Sequence, residues 1–381
     1  MDRITTEQLR ALAEAAAPPC VSIYLPTHRT GRDTQGDPIR LKNLLKKAED
    51  QLIQQGMRPT LARDLLEQAK ALTEDEEFWL YSSDALALFL AEGFMKYFRL
   101  PIETDDLAIV NRRFHLKPIL PLLSDNVFHI LVLSLNDVRL LEGTPHRVER
   151  VELPKDVATS LSAAIGSKDH HVDRGLWRHG GGTHGQAQIG DVHGHGPDQD
   201  NEMQEHLAFY MRQIDEGVRR VIGEETPLIV AGADSTAPHF LRAVKRKNVL
   251  EQIIAGNHEH TPDETLQQKA IEILEPIWKQ ELNAVQERFG TAKSQGIASS
   301  DVVQILKAAS EGRLDTLIVS PTAAVWGDFD EDKAQAQARD GGPEDLIELA
   351  VQKTILTSGT VVVTDEGNVP GNREAAAIYR Y

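Results

Sequence analysis

The chain has 381 residues, 41% of them hydrophobic and 26% charged, and a formal charge of −17. That is an ordinary globular composition, and the acidic excess argues against a broad, non-specific grip on nucleic acid. The single cysteine, Cys20, excludes an internal disulfide and favours a reducing compartment. Cys20 opens an apolar run and reads as a small buried hydrophobe.

The opening MDRITTEQLRALAEAAA is charged and amphipathic and lacks the apolar core of a signal peptide. No apolar run approaches the roughly 18 residues needed to span a bilayer, so no membrane partner is expected and the predicted location is the cytoplasm. Thr5 and Gln8 form a capping box ahead of a first helix. CVSIYLP (20–26) reads as a strand and THRTGRDTQGD as a polar loop. A helix follows, with Asp37 as N-cap, Pro38 at its first position and Gly56 at its end. Residues 76–101 read as two or three antiparallel strands turning at Ser82-Ser83-Asp84, and 114–123 as a connector. VFHILVLSLNDVRLLEG is a hairpin turning at Asn136-Asp137, and RVERVELP continues its sheet by alternation.

Trp177 to Pro197, WRHGGGTHGQAQIGDVHGHGP, holds seven glycines and four histidines between strong patterns. Glycine loses more conformational entropy on folding than any other residue, so such a loop is either filler or functional, and it is expected to be mobile across 166–200. A long helix (200–223), the buried strand PLIVAGAD and a helix over 235–247 follow. Residues 261–290 are helical. The segments 299–321 and 343–365 each read helix then strand, and AAAIYRY closes the chain as a strand. DFDEDKAQAQARDGG (328–342) reads as a polar, mobile loop. The fold class is mixed α/β, ending in a small three-layer α/β sandwich.

The order of hairpin, RVERVELP, glycine-rich loop, long helix with YMRQIDEGVRRVI, PLIVAGAD and a closing α/β segment resembles the archaeal and eukaryotic class I peptide release factors. It resembles more closely their bacterial relatives, the bacterial archaeo-eukaryotic-type release factor family. The likeness covers roughly 120–381, and PCVSIYLPTHRTGR…DPIRLKNLL resembles that family's N-terminal domain. It implies three domains: an N-terminal α/β domain (1–115), an RNase H-like middle domain (116–260) carrying the loop at 175–197, and a C-terminal sandwich (261–381) like kink-turn-binding ribosomal proteins. It implies the ribosome and tRNA as partners and hydrolysis of peptidyl-tRNA in rescue or stress, with no cofactor. In that family a Gly-Gly-Gln tripeptide on this loop enters the peptidyl-transferase centre and places water on the ester. Here the matching residues read His184-Gly185-Gln186, so one glycine is a histidine, with Gly180-Gly181-Gly182 just upstream. No stop-codon-reading domain is visible in residues 1–110.

A glutamine amide both donates and accepts hydrogen bonds, so Gln186 suits the orienting of a water. A second reading gives the loop to a metal-dependent hydrolase, with His179, His184, Asp191, His193 and His195 as ligands. The expectation here is no tightly bound metal, because a glycine-rich loop does not preset ligand geometry. A third reading is a non-catalytic RNA- or protein-binding module. Three basic stretches stand out from the acidic background as RNA contacts: Arg29 with Arg32; Arg40, Lys42, Lys46 and Lys47; and Arg242, Lys245, Arg246 and Lys247. Trp177 and Trp326 read as core or hinge anchors rather than base-stacking platforms.

Overall fold

A computed structural model describes residues 4–14, 18–123, 126–164, 197–234, 236–244, 246–331, 333–371 and 373–381. The chain divides into two compact units, one formed by Met1–Asp125 with Gln280–Tyr381 and the other by Asn126–Lys279. The boundaries read from sequence, at 115/116 and 260/261, cut by segment. The contacts instead group 116–125 with the first unit and 261–279 with the second.

The N-terminal part of the first unit contains α1 (Thr6–Glu14), β1 (Cys20–Pro26), α2 (Asp37–Gln54), α3 (Pro59–Leu72), α4 (Glu76–Leu80), β2 (Ala85–Ala91), β3 (Phe94–Leu100) and β4 (Leu107–Asn111). The four strands form an antiparallel sheet in the order β3-β2-β1-β4. Val21, Ile23 and Leu25 point to one face, under Leu41, Leu44 and Leu66 of α2 and α3. Cys20 and Tyr24 point to the other, under Leu9, Leu12 and Phe114. Both faces of β1 are therefore buried, which is why its sequence is a near-continuous apolar run, broken only by Ser22, whose hydroxyl accepts the His115 N–H at 2.9 Å. The Thr5–Gln8 capping box is present in both directions, at 3.0 and 3.2 Å. Asp37 is the first residue of α2 and Gly36 is its cap. The Asp37 carboxylate instead accepts the His28 backbone N–H and contacts His28 Nδ1, both at 2.9 Å. The stretch EEFWL is a short helix capped by the Asp75 carboxylate, not a strand, and the β2–β3 turn falls at Glu92-Gly93.

The second unit contains β5 (Phe128–Leu133), β6 (Val138–Gly143), β7 (Val148–Val151), α5 (Pro197–Val221), β8 (Leu228–Gly232), α6 (Ala237–Ala243), β9 (Ile254–Ala255) and the first part of α7 (Asp263–Ser294). Its five-stranded sheet runs β7-β6-β5-β8-β9. The first three strands form an antiparallel meander, and β8 and β9 are parallel to β5. This is the mixed sheet expected of an RNase H-like domain. Leu131 and Leu133 face Tyr210, Met211 and Ile214 of α5. Phe128, Ile130 and Val132 face Leu266, Ala270 and Leu274 of α7. A helix thus covers each face of the sheet.

The C-terminal part of the first unit continues with β10 (Ala298–Ser299), α8 (Val302–Ser310), β11 (Leu314–Val319), β12 (Trp326–Asp330), β13 (Gln335–Ala338), β14 (Glu344–Asp345), α9 (Leu346–Leu356), β15 (Thr360–Val363) and β16 (Ala375–Tyr379). The sheet order is β10-β16-β11-β15. Leu317 and Val319 meet α8 and α9, while Ile318 meets Phe289 and Ala292 of α7. This is the three-layer sandwich expected from sequence. The stretch read as a mobile loop carries strand at 328–330 and 335–338: β12 pairs with β13 and, beyond the stretch, with β14 in a separate three-stranded sheet. Gly327 and Phe329 face inward from β12 and its charged residues face out, so the acidic composition masked a period-two pattern.

The connector 114–123 ends in a 3-10 turn, Lys117–Leu123. Phe114, Leu116 and Ile119 enter the N-terminal core, and Leu120 enters the C-terminal one. Lys117 donates to Asp345 Oδ2 at 2.5 Å and to the Ala323 carbonyl. Gln352 donates to the Phe114 carbonyl at 2.7 Å, and Arg10 donates to the Ile355 carbonyl at 3.1 Å. These bonds, with the shared apolar contacts, join chain segments far apart in sequence into one unit.

Candidate functional site: the frame of the glycine–histidine loop

The loop residues singled out from sequence, His179, His184, Gly185, Gln186, Asp191, His193 and His195, with Trp177, lie outside the described residues. The residues that carry the two ends of the loop are described. After β7 the chain turns at Pro154, whose carbonyl accepts the Val157 N–H at 2.9 Å. Leu161 N–H donates to the Leu135 carbonyl at 2.9 Å, and Ala164 is fully buried in the α5 core. On the far side the loop leads into α5, which buries Leu207, Tyr210, Met211, Ile214 and Val218 along one stripe.

Two contacts tie the entering strand segment to α5. The Arg220 guanidinium binds the Asp156 carboxylate at 2.8 and 3.1 Å, an exposed pair of small energetic weight. The closer fit is apolar. A Cβ at Gly217 would lie 2.3 Å from Val157 Cγ2, so only glycine lets α5 approach here. Together with Leu161 and Ala164, these contacts fix the base from which the loop departs.

Titratable groups of this sheet are tuned mainly by burial. Burial raises the Tyr210 phenol, with Asp137 adding in the same direction, and its hydroxyl lies 3.5 Å from the Ser134 carbonyl. Burial lowers the His129 imidazole, opposed by Glu142, 3.7 Å from its Nε2, and aided by Arg246. Burial alone lowers His146. Such shifts favour the neutral forms of these three groups. No group of three His, Cys, Asp or Glu side chains placed to hold a metal occurs among the described residues.

The basic stretches separate once their surroundings are seen. Arg29 is engaged with Asp84 through two bonds, at 2.8 and 2.7 Å. Arg40 donates to the Pro26 carbonyl at 3.1 Å and lies 3.6 Å from Asp106. Lys42, Lys46 and Lys47 are exposed on α2, opposite its buried leucine stripe. The Arg32 side chain and Lys245 are outside the described residues, and Arg242 and Lys247 are exposed. Arg246 is a correction: it is 7% exposed and cannot reach a phosphate. Its guanidinium caps the end of α5 by donating to the carbonyls of Gly223 at 3.1 Å and Ile222 at 3.5 Å, and it faces Asp215 at 3.8 Å. Trp326 is also corrected: it is 48% exposed and so not a core anchor. Cys20 is buried as expected, and burial pushes its thiol up to about 11.

Sequence reasoning missed the charged junction of the first unit. Arg113 meets Glu344 and Glu331, His115 meets Glu348, and Lys117 meets Asp345. The partners lie more than 200 positions apart, and no local pattern links residues at that separation.

Residues 127–313 match the family bacterial archaeo-eukaryotic release factor family 3. Over this segment, which runs from β5 through α8, the chain is similar to the bacterial archaeo-eukaryotic release factors. The likeness first drawn from the order of elements is thereby established for it, and the protein is release-factor-like. Solved structures that the chain matches include the archaeal translation termination factor aRF1, at 14% identity over 99% of each chain with a TM-score of 0.23. Another is from the ribosome-bound archaeal Pelota and ABCE1, at 13% identity over 75% of this chain and 72% of that one, TM-score 0.37. A third is the Dom34 protein of S. cerevisiae, at 10% identity over 78% and 73%, TM-score 0.36. Superposition is poor at these scores, and the assignment rests on the family match. The comparison with curated proteins gives no match. No helix among the described residues is long and apolar enough to cross a membrane.

Proposed function

We propose that this chain is a translation factor that binds the bacterial ribosome in the cytoplasm and hydrolyses the ester of peptidyl-tRNA during rescue or stress. The observation that carries this reading is the place of Gly185-Gln186. In sequence they lie between β7 and α5 inside the family segment, after Ala164, which is buried against α5. Glycines give the loop a backbone able to enter a crowded site. The Gln186 amide orients a water by accepting one hydrogen bond while donating another, without changing charge. The rate gain comes from that positioning, with the ribosome supplying the surroundings. His184 stands where the family carries a glycine, two positions before the glutamine. Of the basic stretches, Lys42, Lys46, Lys47, Arg242 and Lys247 are exposed and open to RNA phosphates.

The test is peptide release from peptidyl-tRNA on purified bacterial ribosomes. Wild type releases peptide, and Gln186→Ala slows release by about 100-fold while co-sedimentation with ribosomes at low salt stays intact. A wild type that neither co-sediments nor releases ends the translation reading. A wild type that binds without releasing ends the hydrolytic one.

A further inference from the structure

A cavity of about 310 Å3 lies in the first unit between β4, the segment after it, and the start of α9. Ligand pockets span roughly 300–1,000 Å3, so this one has room for a single ring system. Leu107, Ile109, Phe114, Pro118, Pro321 and Leu349 give it apolar walls. Its charged groups answer one another: Arg113 with Glu344 at 3.5 Å, His115 with Glu348 at 2.5 Å and Lys117 with Asp345 at 2.5 Å. None of these three basic side chains is left for an anionic ligand, and three carboxylates oppose one.

Two lining amides are incompletely used. Gln352 is 3% exposed, and its amide nitrogen donates to the Phe114 carbonyl at 2.7 Å. Its Oε1 is buried and accepts nothing. A buried acceptor without a donor costs about 1–3 kcal/mol, which a ligand N–H would recover if a small turn of the Gln352 side chain brought Oε1 to the cavity surface. Asn111 Oδ1 accepts the Arg112 N–H at 2.7 Å, which leaves the Asn111 NH2 as a donor. Trp326 also lines the cavity, and its 48% exposure is unusual for so large an apolar side chain. An apolar slot with an indole face, one acceptor and one donor complements a neutral planar heterocycle carrying an N–H beside a ring acceptor. We propose that this cavity binds a nucleobase, either in a free nucleoside or as an unstacked base of single-stranded RNA. Adenine is the expected favourite, because its exocyclic amine and adjacent ring nitrogen suit amide readout. Stacking on Trp326 supplies the sequence-tolerant part of the affinity.

The test is calorimetric titration of the full chain with adenosine, AMP, indole and an oligoadenylate hexamer. Adenosine binds saturably. AMP binds at least about tenfold more weakly, since its phosphate meets the carboxylates; tenfold corresponds to about 1.4 kcal/mol. Trp326→Ala and Gln352→Leu each weaken adenosine by about tenfold or more. Trp326 is exposed, so its replacement leaves the thermal unfolding midpoint in place, which separates lost binding from lost folding. Hexamer binding that adenosine displaces and Trp326→Ala weakens assigns the base to an RNA strand; adenosine binding alone assigns it to a free nucleoside. Absence of saturable binding by both adenosine and hexamer overturns the proposal. So does indole binding as tightly as adenosine, which makes the cavity an apolar void, or adenosine binding untouched by both substitutions.

Discussion

Lys117 and Lys42 carry the same charge in opposite settings. Lys117 is 5% exposed and fixed to Asp345 and the Ala323 carbonyl, joining the two halves of the first unit. Lys42, with Lys46 and Lys47, stands on the solvent face of α2. One set of cations is consumed by the fold and the other remains available to a partner. The division cuts through the basic clusters seen in sequence: within Arg242–Lys247, Arg246 is interior while Arg242 and Lys247 are exposed. Local charge density therefore does not identify an RNA-binding surface. What identifies one is charge left without a fixed acceptor.

The largest effect expected from this contrast is at the junction. Removing one partner of a buried pair strands the other charge, at a cost of about 3–5 kcal/mol. Lys117→Met leaves the Asp345 carboxylate without its cation, while Asp345 still accepts the N–H groups of Val325 and Ile347. Denaturant unfolding of Lys117→Met is expected to show that loss. A loss below about 1 kcal/mol would mean that the pair is solvated and that the junction is held by its apolar contacts alone.

The fold was legible wherever a periodicity declared it. CVSIYLP, the 128–143 hairpin, PLIVAGAD and the helix–strand repeats of the C-terminal segment all stand where their patterns put them. Failures came where composition was read in place of period. The acidic stretch at 328–342 hid the alternation of β12, and the apolar EEFWL suggested a strand although Asp75 is placed to cap a helix. The connector 114–123 does more than connect, but its partners are Asp345, Glu348 and Gln352, and only the folded chain brings them near. Of the candidate site, the place of the loop between β7 and α5 was legible from the order of elements. The Gly217–Val157 contact that fixes its base was not, because a glycine inside a helix carries no sequence mark of what it touches.

Arg246 gives an intermediate effect. Its side chain donates to the carbonyls of Ile222 and Gly223, just past the end of α5, and faces Asp215, which Arg219 also holds at 2.9 Å. Arg246→Met removes the donor to Ile222 and one of two donors to Gly223, whose carbonyl keeps the Asn248 amide at 3.3 Å, and it leaves Asp215 one cation. The expected loss is about 1–3 kcal/mol, the usual cost of leaving buried acceptors unsatisfied, measured by the same unfolding titration. Because Arg246 does not reach the surface, the ionic-strength dependence of ribosome binding is expected to stay unchanged in this variant. A changed dependence would return Arg246 to the RNA-binding set.

The smallest effect on stability is expected on α2, together with the clearest effect on binding. Lys42, Lys46 and Lys47 lie opposite the buried stripe of Leu41, Leu44, Leu45 and Ala48, so changing all three to glutamine removes charge without opening the core. Glutamine and lysine have similar helix propensities, and surface changes of this kind usually stay within about 0.5 kcal/mol each. If α2 faces RNA on the ribosome, each lysine that neutralises a phosphate releases counterions on binding. Losing it lowers the slope of log affinity against log salt by about one. Sedimentation with ribosomes across a salt series reads that slope directly. The triple variant is expected to keep its unfolding midpoint and to bind more weakly at low salt. The gap from wild type should narrow as salt rises, because the removed interactions are the screened ones. An unchanged slope with full affinity would show that the face of α2 points away from RNA and that its lysines serve only solubility.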